Sequence, residues 1–205
     1  MQWYQLLALF SAALCLISCA FHGIRIIKNG NPVDYSQKTG DLGSAIKYAY
    51  TGAMSPTKKE SAYLHLPTYT AGLLYHMATF SSIFLFIIFL TGLKITGLIS
   101  YIFLAILMIG GISGLGILIK RIVKPQLRYL SNPDDYISNL LVTLVQFATA
   151  AILLFPEFSI WYYIMVSMLL LYLPLGKLKH TVYFFAARYH LGFFYGWRGV
   201  WPPNN

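Results

Sequence analysis

The stretch that decides the fold is residues 66–90, which read LPTYTAGLLYHMATFSSIFLFIIFL. It is apolar along its whole length, and a helix of about 20 such residues crosses the core of a bilayer. Similar stretches cover residues 3–24, 95–119, 136–155 and 158–176. The sequence therefore predicts an all-α integral membrane protein with five transmembrane helices, numbered here as predicted helices 1 to 5 in chain order.

The composition supports this class. Of the 205 residues, 58% are hydrophobic and 10% are charged, whereas an average soluble domain carries about 25% charged residues. The longest connection, residues 25–61, is interrupted by glycine and proline, with a helical turn or two expected near residues 45–50. Because that connection is long enough to contact a partner but not to form a core, we expect a single membrane domain over residues 1–205.

Basic residues predict the orientation. Fourteen of the 15 lysines and arginines follow predicted helices 1, 3 or 5, and only Lys94 lies on the other side. The positive-inside rule then places the N-terminus outside, and the loop 25–61 and the tail 183–205 in the cytoplasm, for a multi-pass protein of the cytoplasmic (inner) membrane. No Lys or Arg precedes the first apolar stretch, so we expect a retained helix. The net charge of +9 fits this topology and a lipid or partner surface, not nucleic acid.

Four of the five histidines form two pairs beside or within apolar stretches: His65 with His76, and His180 with His190. Protonated histidine is costly in lipid, whereas a neutral imidazole that ligates haem iron has a use there. On a regular helix the first pair is rotated by about 1100°, which is within about 20° of one face, and rises about 16 Å. The second pair rises about 15 Å but is rotated by roughly 80°. The pattern predicts two haem groups with histidine ligands.

The predicted topology also pairs the histidines. Predicted helices 2 and 5 run in opposite directions, so His65 and His190 would share the inner haem, while His76 and His180 would share the deeper one. His22 is left over at the inner end of predicted helix 1, where an interfacial, hydrogen-bonding role is expected.

The depths of the two deeper ligands do not agree on a straight fifth helix. Counted from the outer ends of regular helices, His180 lies about 33 Å along predicted helix 5, whereas His76 lies about 21 Å along predicted helix 2. The two become level if predicted helix 5 starts outside the bilayer, tilts, or bends near Pro174 and Gly176.

Other patterns narrow the function classes. No Asp or Glu lies in the middle of an apolar stretch, which disfavours a proton or ion pump. The chain also lacks a phosphate-binding loop, a Ser/His/Asp constellation and an H-E-x-x-H motif. Glycines at 110, 111, 114 and 116 predict a small-residue face for helix packing, and residues 131–135 (SNPDD) predict a capped helix start. Electron transfer through a bound cofactor remains.

Several segments carry a resemblance to a known family. The segments 173–180 (LPLGKLKH), 187–192 (ARYHLG) and 196–202 (GWRGVWP) resemble the last helix and tail of the respiratory nitrate reductase gamma-subunit family. Residues 68–76 (TYTAGLLYH) resemble its second helix. The family includes membrane subunits of heterodisulfide-reductase-like and sulfite-reduction-linked complexes, and the five-helix layout extends the resemblance over nearly the whole chain.

The resemblance implies a dihaem cytochrome b with two haem b groups. Such a subunit exchanges electrons between a membrane quinone and an iron–sulfur or molybdenum partner subunit, and is not an independent catalyst of the terminal reaction. Its axial ligands would be His65, His76, His180 and His190. In nitrate reductase itself the two histidines of the last helix lie farther apart, and that spacing falls near Arg198 here, so His190 follows the arrangement of the broader family.

Three basic residues have expected roles at this site. Arg188 or Arg198 would bind a haem propionate through charge-assisted contacts, although an interfacial aromatic belt already explains the many rings around them. Lys94 would donate a hydrogen bond to a quinone carbonyl on the outer side, a role that the family resemblance favours over a lysine that only snorkels to the interface.

Two other function classes are compatible with the sequence. One is a haem-free membrane anchor of a redox complex, and the other is a small transporter. A reduced-minus-oxidised absorption spectrum separates both from a bis-histidine cytochrome, because only the cytochrome gives a b-type spectrum.

Overall fold

The computed structural model describes residues 1–30, 33–58, 62 and 64–203, and these residues contain helices and turns but no strand. Short 3-10 turns at Gly52–Met54, Pro156–Phe158 and Lys177–Lys179 connect some of the helices. The α-helices are α1 (Trp3–Lys28), α2 (Leu42–Tyr50), α3 (Leu66–Leu90), α4 (Leu98–Val123), α5 (Pro125–Tyr129), α6 (Pro133–Leu154), α7 (Ser159–Tyr172) and α8 (His180–Trp197).

The helices confirm the predicted all-α membrane class. α1, α3, α4 and α6 are each long and apolar enough to cross a membrane. Pro156–Tyr172 and Lys177–Trp197 meet the same test only as a pair separated by a short break, so the described residues contain four spans, or five if that pair forms one. The orientation with the N-terminus outside stays a prediction.

The last predicted span is interrupted. The sequence predicted one apolar helix over residues 158–176, whereas α7 ends at Tyr172 and α8 begins at His180. Pro174 has no N–H to donate and its ring obstructs the preceding turn, while Leu175 and Gly176 both donate their backbone N–H to the Tyr172 carbonyl. The break therefore falls where a bend was foreseen, and the residues predicted as a tail from 183 onward are helical up to Trp197.

The predicted helix start at residues 131–135 is confirmed. The Asn132 side chain accepts a hydrogen bond from the Asp135 N–H at 3.0 Å, and the Asp135 carboxylate accepts one from the Asn132 N–H at 3.0 Å. Pro133 occupies the first turn, where its missing N–H is no loss. This reciprocal capping fixes the beginning of α6.

The chain divides into two compact units. The first comprises Met1–Leu16 and Pro67–Leu178, and the second comprises Ile17–Leu66 and Lys179–Asn205. His76 and Lys94 belong to the first unit, whereas His65, His180 and His190 belong to the second.

Glycines of α4 allow close packing in the first unit. A Cβ atom added at Gly110 would overlap Ala78 of α3, and one added at Gly111 would overlap the Phe147 ring of α6. Gly114 is similarly enclosed, whereas Gly116 faces open space. The predicted small-residue face is confirmed at three of its four positions. Two apolar clusters are buried in this unit: one comprises Ala8, Phe86, Val145, Tyr162, Tyr163 and Val166, and the other comprises Leu85, Leu107 and Ala150.

The second unit is built on contacts between α2 and α8. A Cβ atom at Gly192 would come within 2.6 Å of the Ile46 Cα atom, so the two helices meet at backbone distance. Side chains then reach across to main-chain groups: the Tyr50 hydroxyl donates to the Phe185 carbonyl at 2.5 Å, and Trp197 Nε1 donates to the Ser36 carbonyl at 2.7 Å. The helical turns expected near residues 45–50 thus form a packed helix.

Candidate haem-ligand residues

His76 lies in the middle of α3 and its side chain is exposed. Its Nδ1 atom is 2.7 Å from the Gly72 carbonyl oxygen, one turn earlier. A carbonyl oxygen can only accept a hydrogen bond, so Nδ1 is the donor in this contact, and Nε2 is the ring nitrogen that faces away from it. Metal-ligating histidines typically have this arrangement, in which a backbone carbonyl fixes the tautomer and the ring. His76 thus has the chemistry of an axial ligand.

His65 is placed differently from the prediction. α3 begins at Leu66, so His65 precedes the helix in a turn, where it is exposed. The regular-helix rotation that put His65 and His76 on one face therefore does not extend to His65. Its direction is set by the turn before the helix.

His180 and His190 lie on one regular helix. His180 is the first residue of α8 and is exposed, whereas His190 is partly buried ten residues later. The predicted rise of about 15 Å and rotation of roughly 80° therefore apply to this pair. Two ligands of one haem cannot both come from residues so far apart on one helix, which agrees with the assignment of this pair to two haems.

His190 lines two cavities of the second unit. One has a volume of about 550 Å³ and lies between the end of α1, including Gly23 and Ile27, and α8. The other has a volume of about 780 Å³ and lies between residues 33–35 and α8, including Phe194. Both volumes fall in the range of about 300–1,000 Å³ that is usual for ligand and cofactor sites. Ligand-sized space thus lies beside His190.

Arg198 is held at the rim of the larger cavity. Its Nη1 atom is 2.7 Å from Asp34 Oδ2 and donates to the Phe194 carbonyl at 3.0 Å, and its guanidinium carbon lies 3.8 Å from the centre of the Phe194 ring. The charge of Arg198 is thus already engaged by a carboxylate, which weakens the expectation that it binds a propionate. Arg188 lies over the Phe184 ring at 5.7 Å.

The sequence did not predict that Asp34 is the partner of Arg198. The pKa of the Asp34 carboxyl is lowered from its ordinary value, first because the Ser36 hydroxyl and backbone N–H both donate to it, and further because Arg198 is close. The sequence offered one indication: with six acidic residues against 15 basic ones, each acidic residue has many basic residues available as partners.

The described contacts of His22 and Lys94 do not indicate a haem or quinone site. His22 Nδ1 is buried and has no hydrogen-bond partner among the described residues, so the hydrogen bond expected for His22 is not made at this atom. Its ring lies 6.0 Å from that of Tyr183. Lys94 is exposed in the connection between α3 and α4.

The sequence also did not predict a buried polar cluster beside His76, which consists of Tyr75, Thr79 and Gln146. Gln146 of α6 is completely buried and donates from Nε2 to the Tyr75 carbonyl at 3.0 Å and to the Thr79 hydroxyl at 2.9 Å. The Tyr75 hydroxyl donates to the Asn139 carbonyl at 3.0 Å. The signal in the sequence was an amide side chain in the middle of an apolar stretch, which is expensive in lipid unless it is paired.

Among the residues that the structure describes, no three or more His, Cys, Asp or Glu side chains are grouped to hold a metal ion. A bis-histidine haem needs two protein ligands, so it belongs to a different kind of site. No family model, curated protein or solved structure matches this chain. The fold and these residues define a helical multi-pass membrane protein, and the family resemblance stays a prediction.

Proposed function

We propose that this chain is a dihaem cytochrome b of the cytoplasmic membrane. It carries electrons between a membrane quinone and an iron–sulfur, molybdenum or heterodisulfide-reductase-like partner subunit. The observation that supports this most directly is His76: it lies in an apolar span, and the Gly72 carbonyl at 2.7 Å accepts from Nδ1 and so orients the ring with Nε2 available to a metal. An anchor without a cofactor has no need of such a histidine.

The proposed ligands are His65, His76, His180 and His190. Bound haem b would supply one-electron chemistry at iron, and the protein would set its potential through the axial imidazoles and through burial. Gly72 orients the His76 ring, and the apolar walls beside His190, including Phe185 and Ala186, would exclude water. The pairing of His76 with His180 joins residues of different units and remains a sequence prediction.

The decisive experiment is a reduced-minus-oxidised absorption spectrum of the purified chain, with haem quantified per polypeptide. We expect a b-type spectrum and two haems per chain, reducible by a quinol analogue. A chain that is folded and free of haem after expression with an ample haem supply would contradict the proposal and favour the anchor. The variant His76→Ala is the matched control, because it should keep the fold and lose one haem.

A further inference from the structure

We propose that Gln146 is a positioning residue for His76. By tying α3 to α6, it fixes the rotation of α3 and so the direction in which His76 is presented. The inference rests on the proposed function only in taking His76 as an iron ligand, because the contact between the two helices is independent of any cofactor.

The first step is the bonding of the amide. Gln146 Nε2 donates to the Tyr75 carbonyl at 3.0 Å and to the Thr79 hydroxyl at 2.9 Å. The Thr79 hydroxyl donates in turn to the same Tyr75 carbonyl at 2.8 Å. One side chain of α6 thus holds two neighbouring acceptors on the surface of α3, the Tyr75 carbonyl and the Thr79 hydroxyl. Because both acceptors lie off the axis of α3, a rotation of the helix about its axis would carry them away from the amide.

The second step is the angular relation to the ligand. Tyr75 and Thr79 are four residues apart and lie within about 40° of each other on the helix surface. His76 follows Tyr75 directly and is therefore about 100° away from it, on the flank that the structure leaves exposed. Any rotation of α3 that breaks the bonds of Gln146 would turn His76 by the same angle.

The third step is the packing that makes the bonds short enough. Gly110 of α4 lies so close to α3 that a Cβ atom there would overlap Ala78, and one at Gly114 would overlap the Tyr75 ring. The absence of these side chains lets α3 sit deeply among its neighbours. Packing sets the distance between the helices, and Gln146 sets the rotation.

The fourth step is the unpaired half of the amide. Gln146 Oε1 is buried without a hydrogen-bond partner among the described residues, and a buried acceptor left unpaired carries a desolvation penalty. An apolar side chain would avoid that penalty. The unpaired oxygen of Gln146 therefore destabilises the bundle. We infer that Gln146 is nevertheless present because its amide nitrogen holds the turn beside His76.

The test uses Gln146→Leu, which keeps a similar volume and removes both donors. The readout is the electron paramagnetic resonance spectrum of the oxidised protein, because the signal of a low-spin bis-histidine haem depends on how its imidazole rings are oriented. We expect the signal that is absent in His76→Ala to shift in Gln146→Leu, while the other haem signal stays unchanged. Thr79→Val should give a smaller shift of the same signal, and Thr79→Ser should keep the wild-type spectrum.

Ser82→Ala is the matched control. Ser82 is a buried hydroxyl residue of the same helix, but it donates only to the Ala78 carbonyl of its own turn at 3.0 Å. Its removal should leave both haem signals in place. Unchanged signals in a folded Gln146→Leu protein, or an equal shift in Ser82→Ala, would overturn the positioning role. If Gln146→Leu does not fold, an unchanged spectrum in Thr79→Val overturns it.

A second readout needs no haem. A spin label attached to the His76→Cys variant, in a background carrying Cys15→Ala and Cys19→Ala, reports the order of the side chain at position 76. We expect Gln146→Leu to increase the mobility of this label and Ser82→Ala to leave it unchanged. A chain without haem whose label responds in this way would contradict the proposed function but support the role of Gln146. A label that does not respond would contradict that role.

Discussion

Each of the two units is stabilised internally by a different kind of contact. In the first, long apolar helices pack around the glycines of α4, and a buried amide, Gln146, donates to a main-chain carbonyl of the neighbouring helix. In the second, α2 and α8 meet at backbone distance around Gly192, and Tyr50 and Trp197 donate to main-chain carbonyls. Hydropathy predicts the long apolar helices of the first unit. In the second unit the approach of α2 to α8 depends on Gly192, so we expect this contact to be sensitive to a single substitution.

The largest expected effect is the loss of one haem from a variant that lacks one proposed ligand. His76→Ala in the first unit should remove the deeper haem, and His190→Ala in the second should remove the inner one, because an axial imidazole has no substitute in apolar surroundings. Each variant should therefore retain about one of two haems, as measured by haem quantification and by redox titration. The two variants should retain haems with different midpoint potentials.

His22→Ala is the control for this pair, since His22 is a histidine of α1 without a proposed iron ligand role. It should keep both haems. Loss of a haem in His22→Ala together with full haem content in His190→Ala would make His22 the fourth ligand. Retention of the same haem in His76→Ala and His190→Ala would show that these two residues share one iron.

The next effect tests the backbone contact of the second unit. In Gly192→Ala, the added Cβ atom would lie 2.6 Å from the Ile46 Cα atom. Overpacking of this kind destabilises by about 1–3 kcal/mol, which outweighs the gain of about 1 kcal/mol in helix propensity. We expect α2 to separate from α8 more often, and trypsin to cleave after Lys38 and Lys47 roughly tenfold faster, since 1.4 kcal/mol corresponds to a factor of ten.

Gly116→Ala provides the comparison in the first unit. A Cβ atom at Gly116 meets nothing within 4 Å, so only the helix propensity changes, and thermal unfolding in detergent should occur at the same or a slightly higher temperature. If Gly192→Ala and Gly116→Ala change the thermal unfolding temperature equally, α2 and α8 are farther apart than in the structure.

Sequence patterns were sufficient where a contact depends on neighbours in the chain. The spans followed from hydropathy, and the start of α6 followed from Asn132 and Pro133, because a helix cap is a local interaction. They were insufficient where the partner is distant in sequence. Nothing local indicates that Asp34 pairs with Arg198, or that Gln146 reaches the turn beside His76. The break before α8 was predicted only as one of three ways to bring His76 and His180 to the same depth in the membrane.

A smaller effect concerns the exposed connection of the first unit. If Lys94 donates a hydrogen bond to a quinone carbonyl, Lys94→Ala should keep both haems but slow their reduction by a quinol analogue about tenfold, the loss expected for one charged hydrogen bond. Reduction by dithionite should be unaffected. Wild-type quinol kinetics in this variant would remove Lys94 from the quinone site and direct the search to the surroundings of His22 and His190.

The smallest expected effect is a pH dependence of the second unit. The folded state lowers the pKa of the Asp34 carboxyl through the two Ser36 donors and Arg198, while the unfolded carboxyl titrates near its ordinary value of about 4. Asp34 therefore stabilises the folded unit above about pH 4, and this contribution is lost as the pH falls through the lower, folded pKa. Trp197, which donates to the Ser36 carbonyl, gives a fluorescence signal for the loss of this contact. We expect a small acid transition that Asp34→Asn abolishes and Glu157→Gln, the control in the first unit, retains; a transition of equal size in Asp34→Asn would assign it to another acid.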